Sequence, residues 1–349
     1  MSRAVALRVG PVSAAVRPRA VVVPVLLAGV ALLLAAFDVG RGDYPIGVVD
    51  VLRILAGAGE QADRFVVLEL RLPRALTALL VGLAFGTAGA VLQSVARNPL
   101  ASPDILGITQ GAGVGAVALI VLAGGGVGGA AALVGAPLVA LLGGLLAATA
   151  VYLLAWRQGV SGFRLVLVGI AVSAVLTSTT WYLLIVADIT EAARAAVWLT
   201  GSLNGRGWEH VVPVAVAVGA AGGAVLIGCG TLAVLRYGDD SARALGVRIQ
   251  SAQAALIGLA VVLASVAVAA AGPIPFVALV APQIAMRLVR SAGPPVLAGG
   301  LLGGVLVLAA DVASRTLLPA ELPVGVLTAA LGAPYLIALL ARRTRRTDA

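Results

Sequence analysis

Long apolar runs separated by short polar segments extend along most of the 349 residues, which is the pattern of helices that cross a membrane. A helix needs about 17–25 apolar residues to span the hydrocarbon core of a bilayer. The candidate spans cover residues 19–37, 73–96, 107–123, 130–155, 164–187, 210–235, 251–271, 275–290, 296–311 and 324–341. Some of these ten are short, so eight to ten crossings are expected. The sequence therefore predicts an all-α, polytopic membrane protein with about ten transmembrane helices.

Composition agrees with this fold class. The chain is 61% hydrophobic and 11% charged, whereas soluble domains are about 45–50% apolar and about 25% charged. Glycines recur four residues apart within the apolar runs, a spacing that lets helix backbones approach closely in lipid. These sets are Gly82 and Gly86; Gly107, Gly111 and Gly115; Gly219 and Gly223; and Gly299 and Gly303. They predict a closely packed bundle but no particular function.

The distribution of arginine predicts the orientation. All 24 basic residues are arginine, and with ten crossings and a cytoplasmic amino terminus 16 of them lie on the inner side, while 11 of the 15 acids lie outside. This agrees with the excess of positive charge on cytoplasmic loops. We expect both termini to be cytoplasmic, residues 1–18 to form an arginine-rich tail without a cleavable signal, and residues 19–349 to form one transmembrane domain.

Several kinds of chemistry are not supported by the residues present. The arginines flank apolar spans and are not interleaved with aromatic residues on a polar domain, so nucleic acid is not an expected partner. The chain has no lysine for a phosphate-binding loop, so any ATP must be bound by another subunit. Cys229 and His210 are the only residues of their kinds, so no metal site, cofactor or catalytic residue is predicted.

Three polar segments depart from the pattern of span and short loop. In residues 97–107, Pro99 and Pro103 interrupt a helix, and Asn98 and Asp104 are expected at the membrane edge. Such a segment is either a plain turn or the wall of a cavity, because irregular backbone at membrane depth must be buried in protein or line one. Residues 190–201 predict a helix in the outer interface.

The third segment, residues 238–246, predicts a short helix on the cytoplasmic face. Asp239 or Asp240 is expected to cap its start, and Gly246 is expected to end it. Two interpretations remain open, namely a capped connector and a docking helix for a cytosolic partner.

Hydroxyl side chains are grouped on the fifth span. Ser173, Thr177 and Ser178 are about one helical turn apart on one face, so they are candidates to line a translocation path. Hydroxyls in such a helix can also bond back to its own carbonyl groups. The sequence leaves both possibilities open.

A series of motifs resembles the FecCD-type permeases of ATP-binding-cassette (ABC) importers for iron-siderophores, haem and cobalamin. The resemblance covers about residues 71–340. It is carried by Arg71-Leu-Pro-Arg74, Gly89-Ala-Val-Leu-Gln93, Asn98-Pro-Leu-Ala-Ser-Pro-Asp-Ile-Leu-Gly107, Gly169-Ile-Ala-Val-Ser173, Ala242-Arg-Ala-Leu-Gly246, Gly272-Pro-Ile-Pro-Phe-Val-Ala-Leu-Val-Ala-Pro-Gln283, Ala310-Asp-Val-Ala-Ser-Arg315, Glu321-Leu-Pro-Val-Gly325 and Gly332-Ala-Pro334. Two positions depart from the family pattern, since Gln283 replaces a common histidine and Pro275 a common glycine.

The resemblance implies a type II ABC importer permease fold in a bacterial cytoplasmic membrane. It also implies a second permease subunit, identical or paralogous, two cytosolic ATPase subunits, an extracytoplasmic binding protein and a metal-chelate substrate. The permease itself would perform no covalent chemistry.

The resemblance further implies roles for individual residues. Residues 238–247 would form the coupling helix that contacts an ATPase, through Asp239, Asp240, Ala242, Leu245 and Gly246. Arginines at the positions of Arg71, Arg74 and Arg315 would pair with acids of the binding protein. These arginines could instead be interfacial anchors whose charged ends extend to the headgroups.

Two other functions remain as alternatives. An ABC permease for free divalent metal ions would show acidic or histidine ligands in its spans. A proton-coupled secondary transporter would need no ATPase and would usually carry a relay of acids or histidines through the membrane. Such residues are nearly absent from the predicted spans.

Overall fold

The computed structural model describes residues 5–9, 12–16, 18–41, 44, 46–122, 129–157, 161–316 and 321–347, and the structural statements below refer to these residues. The longer helices are α1 (Pro18–Gly40), α4 (Leu72–Val95), α5 (Ile108–Leu122), α6 (Gly129–Ala155), α7 (Gly162–Val186), α13 (Ile249–Ala271), α14 (Val277–Val289), α15 (Val296–Thr316) and α16 (Val324–Thr347). The shorter ones are α2 (Val48–Leu55), α3 (Gln61–Phe65), α8 (Ile189–Leu199), α9 (Trp208–Ala217), α10 (Gly223–Ile227), α11 (Cys229–Leu235) and α12 (Asp239–Ala244).

The apolar helices agree with the predicted spans. Within the described residues, seven helices are long and apolar enough to cross a membrane, and three shorter apolar helices cover Ile108–Leu122, Val277–Val289 and Val324–Ile337. Each of the ten predicted spans overlaps one of these ten helices. The second span begins earlier than predicted, because α3 and a π-helical stretch, Val66–Arg71, run directly into α4. The all-α prediction for the membrane domain is therefore confirmed.

A short β-hairpin precedes the first span. Strand β1 (Val5–Val9) pairs antiparallel with β2 (Val12–Val16), and Val9 lies opposite Val12. The sequence interpretation described this region only as an arginine-rich tail and missed the hairpin.

Helix α4 forms the centre of the bundle. The apolar stretch that includes it is 72% buried, and those of α13 and α15 are 67% and 61% buried. In contrast, the corresponding stretches of α1 and α7 are only 17% and 11% buried. A central α4 is thus packed between α13, α14 and α15, while α1 and α7 present most of their apolar surface outward.

Glycines allow α4 to contact α15 through its backbone. A Cβ atom on Gly82 would overlap the carbonyl oxygen of Gly303, and one on Gly86 would overlap that of Gly299. These two glycine pairs confirm the predicted close approach. The prediction is wrong for Gly219 and its partner four residues later, because nothing lies within 4 Å of a Cβ built on either.

Candidate functional site

The irregular segment 97–107 packs along α7 and reaches the middle of the bundle. A Cβ on Gly162, at the start of α7, would overlap the carbonyl oxygen of Ala96, and one on Gly169 would overlap that of Ile105. Asp104 therefore lies halfway along α7, where its carbonyl oxygen is 3.5 Å from the Ser173 hydroxyl. The expectation that Asp104 stays at the membrane edge is wrong, because the segment packs along α7 and re-enters the bundle.

A cavity of about 610 Å³ opens beside this segment. Its walls come from the irregular segment, the first turn of α5, the end of α8 and the starts of α14 and α16. The lining residues are Ser102, Asp104, Ile105, Thr109, Gln110, Leu199, Thr200, Pro273, Pro275, Phe276, Leu279, Gly325, Val326, Ala329 and Leu336. Segment 97–107 thus lines a cavity and is not a plain turn.

At one end of the cavity, the loops that carry Thr200, Pro273 and Gly325 are joined through their backbones. The Ser202 amide donates to the Ala271 carbonyl at 2.9 Å, and the Gly325 amide donates to the Gly201 carbonyl at 3.1 Å. The cavity therefore extends from the middle of the bundle to the end where α8 and α13 finish and α16 begins.

The three hydroxyl residues of α7 are placed differently from one another. Ser173 contacts the irregular segment at the cavity wall. Thr177 and Ser178 are exposed on the outward surface of α7, and Ser178 lines a second, shallower cavity of about 480 Å³ together with Tyr182. A hydrogen bond to the helix's own backbone, the other possibility considered for this helix, is made by the neighbouring Thr179, whose hydroxyl donates to the Val175 carbonyl at 2.9 Å.

Helix α12 is the short helix predicted at the cytoplasmic face. Its start is Gly238, at φ +106°, and neither Asp239 nor Asp240 makes the predicted capping hydrogen bond. The acids occupy the first turn instead, where they still interact favourably with the helix dipole. Gly246 ends the helix at φ +79°, as predicted.

The faces of α12 differ in exposure. Ala242 is fully buried against the bundle, whereas Leu245 is 67% exposed. The side chain of Asp240 is also fully exposed. This short helix therefore presents a mixed apolar and acidic surface away from the bundle.

An ion pair connects α12 to the cavity segment. The Arg97 guanidinium binds the Asp239 carboxylate and also donates to the Leu235 carbonyl at 3.1 Å. Arg97 is the first residue of segment 97–107 and adopts a left-handed backbone conformation at φ +50°. Arg97 thus links the start of segment 97–107 to the first turn of α12.

The three arginines predicted at the outer face are brought together at one end of the bundle. Arg74 binds Asp311 with both Nε and Nη2, at 3.1 and 2.9 Å, and Arg315 binds Asp38 and lies 3.4 Å from Asp311. The side chains of Asp38 and Asp311 are 1% and 0% exposed. We call these four residues the buried charge cluster. Sequence analysis missed both acids as partners, although an aspartate inside the apolar α15 run was a visible signal.

Arg71 lies beside this cluster and is more accessible. Its guanidinium donates to the carbonyl oxygens of Val39 and Tyr44, at 3.2 and 2.5 Å. A hydrogen bond with Asp63 raises the pKa of the Tyr44 phenol. Arg71 thus joins the end of α1 to the start of α4.

Gln283, at one of the positions that depart from the family pattern, forms a buried amide pair with Gln93. Gln283 Nε2 donates to Gln93 Oε1 at 2.6 Å, and Gln93 Nε2 donates to the Leu279 carbonyl at 3.0 Å. The position is therefore a structural bridge between α4 and α14.

Comparison with known proteins agrees with these features. The model of the FecCD transport family matches residues 26–342. The chain is 38% identical to the Escherichia coli ferric enterobactin transport system permease protein FepG, over 94% of this chain and 98% of that protein. It is 41% identical to the Dickeya dadantii achromobactin transport system permease protein CbrC, over 91% of this chain and 90% of that protein.

A solved structure also shares the fold. A metal-chelate type ABC transporter in an inward-facing conformation aligns with a TM-score of 0.80 and 28% identity, and the alignment covers 92% of this chain and 99% of that one. With a family match over most of its length, an all-helical bundle and the predicted motifs in place, this chain belongs to the FecCD transport family of membrane permeases.

Proposed function

We propose that this chain is the permease subunit of an ATP-driven importer that carries a ferric siderophore or a related metal chelate across the bacterial cytoplasmic membrane. The observation that carries this proposal is the similarity, over nearly their whole length, to permeases named for ferric enterobactin and achromobactin transport. The cavity of about 610 Å³ supports it, because that volume lies within the usual range of small-molecule sites.

The proposed assembly contains two permeases, two cytosolic ATPases and an extracytoplasmic binding protein. The exposed surface of α7 suits a second permease, identical or paralogous, and would place Thr177 and Ser178 beside the path between them. Residues 238–247, with α12 at their centre, would be the coupling helix. Both termini would be cytoplasmic, with residues 1–18 as the tail and 19–349 as the permease domain.

The proposed mechanism is alternating access. ATP binding in the partner subunits moves α12, and the ion pair between Arg97 and Asp239 transmits that movement to segment 97–107. Because Asp104 and Ser102 belong to the same segment, the cavity wall moves with it. The ATPase supplies the chemical energy, and the permease converts it into a change of access.

Cargo selection distinguishes this function from transport of a free divalent ion. In proteoliposomes containing the permease, its ATPase and its binding protein, we expect saturable uptake of chelated radiolabelled iron. Excess free Mn²⁺ or Zn²⁺ should leave that uptake unchanged. Accumulation of the free ions without chelated iron would instead support the divalent-metal alternative.

Replacement of Gly246 is expected to uncouple the ATPase from transport. Gly246→Val places a β-branched residue at φ +79°, in open space, so its main effect is a backbone strain of about 1 kcal/mol or more. We expect stimulated ATPase activity and uptake to fall roughly fivefold or more. Gly205→Val is the matched control, because Gly205 has φ +68°, equally open surroundings and a position in the distant 200–207 loop. Equal losses in both variants would remove the coupling role.

Replacement of Arg71 tests docking of the binding protein. The buried charge cluster holds Arg74 and Arg315 within the subunit, so reversing either charge is expected to disturb folding. Arg71 lies outside that cluster, and we expect Arg71→Glu to weaken binding-protein affinity at low salt, with a smaller difference at high salt because salt screens exposed charges. The measurement is affinity for the folded variant across a salt series. An unchanged affinity at low salt would exclude Arg71 from the docking site.

A further inference from the structure

Arg236 joins the base of α12 to two other parts of the bundle. It follows the last residue of α11, and only two residues separate it from the start of α12. Its guanidinium Nη2 donates to the Ser94 hydroxyl at 2.9 Å and to the Pro294 carbonyl at 2.5 Å. Ser94 lies in the last turn of α4, and Pro294 lies in the turn between α14 and α15. One side chain therefore connects α12, α4 and the turn after α14.

The charge of Arg236 is not balanced by an acid among the residues that the structure describes. Its partners there are the neutral oxygens of Ser94 and Pro294, and its Nε is buried without an acceptor. A partly buried guanidinium that binds only neutral groups recovers less of its lost hydration energy than one paired with a carboxylate. Stability alone is therefore a weak reason for an arginine here, which favours a functional role.

A second arginine holds the same two helix ends together in the opposite direction. Arg97, just after α4, donates through Nε to the Leu235 carbonyl of α11 at 3.1 Å. Arg236, the residue after Leu235, donates back to Ser94 of α4. The Arg97 guanidinium also binds Asp239, the first residue of α12. Two separate side chains therefore attach the base of α12 to the bundle.

Helix α14 runs from the turn that Arg236 binds to the cavity. Its 13 residues extend about 20 Å. Phe276 at its N-cap and Leu279 in its first turn line the cavity, whereas its other end leads into the turn at Pro294. The flanking residues Phe276 and Arg290 adopt left-handed conformations, at φ +67° and +56°. Such strain in residues other than glycine is concentrated at functional sites.

Helices α4 and α14 are packed together along the part that lies between the cavity and Arg236. A Cβ on Gly89 of α4 would overlap the carbonyl oxygen of Ala278 on α14. The buried amide pair of Gln93 and Gln283 adds a second contact, next to Ser94 in sequence. The two helices therefore form one packed unit, and Arg236 binds both the end of α4 and the turn that follows α14.

We propose that Arg236 is a positioning residue that attaches α12 to the packed unit of α4 and α14, so that nucleotide-driven movement of α12 reaches the cavity wall. This inference rests on the proposed function and adds a second connection to the one made by Arg97. The Arg97 connection leads to segment 97–107, whereas the Arg236 connection leads to Phe276 and Leu279. Without Arg236, the ATPase would hydrolyse ATP with less transport.

The ratio of chelate taken up to ATP hydrolysed tests this role. The probes are radiolabelled ferric enterobactin and ferric achromobactin, in proteoliposomes containing the permease, its ATPase and its binding protein. We expect Arg236→Met to lower the ratio roughly fivefold or more, and Ser94→Ala, which removes one of two acceptors, to lower it roughly twofold. Loss of a purely structural residue would lower uptake and hydrolysis together. An unchanged ratio in Arg236→Met would overturn the proposal.

Ser314→Ala is the matched control for Ser94→Ala. Both serines are buried, and both hydroxyls donate to a carbonyl of their own helix at 2.7 Å, but Ser314 lies beside the buried charge cluster. We expect the control to keep the ratio of the unaltered protein. Arg236→Met combined with Ser94→Ala should be no worse than Arg236→Met alone, because both changes remove the same hydrogen bond. A further twofold loss in the combined variant would overturn the assigned contact.

A thiol on the cavity wall reports the same movement without any cargo. Cys229 is the only cysteine of the chain, so Ala329→Cys in a Cys229→Ser background places a single thiol on that wall. With the ATPase present, we expect a non-hydrolysable ATP analogue to change the rate of modification by a methanethiosulfonate reagent at least about threefold. Adding Arg236→Met should abolish most of this response.

The two measurements separate failure of the inference from failure of the proposed function. If the unaltered protein takes up neither probe, the proposed function fails for these chelates, and the thiol rates decide the inference alone. A nucleotide response that persists in Arg236→Met, or that is absent without it, would overturn the inference. If Arg236→Met does not assemble, Ser94→Ala replaces it in both measurements. Results equal to those of Ser314→Ala would then overturn the proposal.

Discussion

Gly86→Val is expected to prevent the bundle from assembling. Helix α4 contacts α15 through bare backbone at this point, and a Cβ on Gly86 would overlap the carbonyl oxygen of Gly299. Two long helices would have to separate along their length to admit a β-branched side chain. Overpacking a core costs about 1–3 kcal/mol and occasionally more, and we expect this site to reach about 3 kcal/mol or more.

The measurement is the yield of monodisperse protein and its thermal unfolding in detergent. Gly258→Val is the matched control, because Gly258 also lies within a long apolar helix but nothing is within 4 Å of a Cβ built there. We expect the control to purify normally and the Gly86 variant to be lost or aggregated. Comparable yields and melting temperatures would contradict the backbone contact between α4 and α15.

Asp311→Leu is expected to cause the second large loss of stability. The carboxylate is fully buried and binds Arg74 through two guanidinium nitrogens, while Arg315 lies 3.4 Å away. Removing it leaves a largely buried Arg74 guanidinium whose remaining ion-pair contact among the described residues is the more distant Glu321 carboxylate, at 3.9 Å. Breaking a buried ion pair by removing one partner costs about 3–5 kcal/mol.

A double variant distinguishes the effect of the unpaired charge on stability from the effect of the changed side-chain shape. Arg74→Met combined with Asp311→Leu removes both charges, and replacing a buried pair with apolar residues is often neutral. We therefore expect the double variant to recover most of the loss in an equilibrium unfolding titration. Asp50→Asn, which breaks the exposed pair with Arg53, should change stability by no more than about 1 kcal/mol. A double variant as unstable as Asp311→Leu would contradict this account of the cluster.

The ten apolar helices could be predicted because they follow from local hydropathy. Each apolar run of sufficient length forms a helix, since the backbone must satisfy its own hydrogen bonds in lipid. Helix packing was less predictable. The same four-residue glycine spacing is a backbone contact at Gly82 and Gly86 but meets open space at Gly219 and Gly223, because spacing says nothing about which face meets another helix.

The site could be predicted only in part for the same reason. Motif resemblance identified Arg71, Arg74 and Arg315, yet only the folded bundle shows that two of them bind Asp38 and Asp311, which lie far from Arg74 in sequence. The predicted position of Asp104 at the membrane edge was wrong, because the segment 97–107 re-enters the bundle through a tertiary contact with α7 that local sequence does not reveal. The prediction of an acidic N-cap for α12 was also wrong, because Gly238 precedes the two acids and occupies the N-cap position.

The source of energy is the most direct test of the central claim. Proteoliposomes should be prepared with the permease, its ATPase and its binding protein, and uptake of a ferric chelate compared under hydrolysable ATP, a non-hydrolysable analogue and an imposed proton gradient. We expect uptake only with hydrolysable ATP and only when the ATPase is present. Uptake driven by the proton gradient in vesicles that lack the ATPase would contradict an ATP-driven importer and support a secondary transporter.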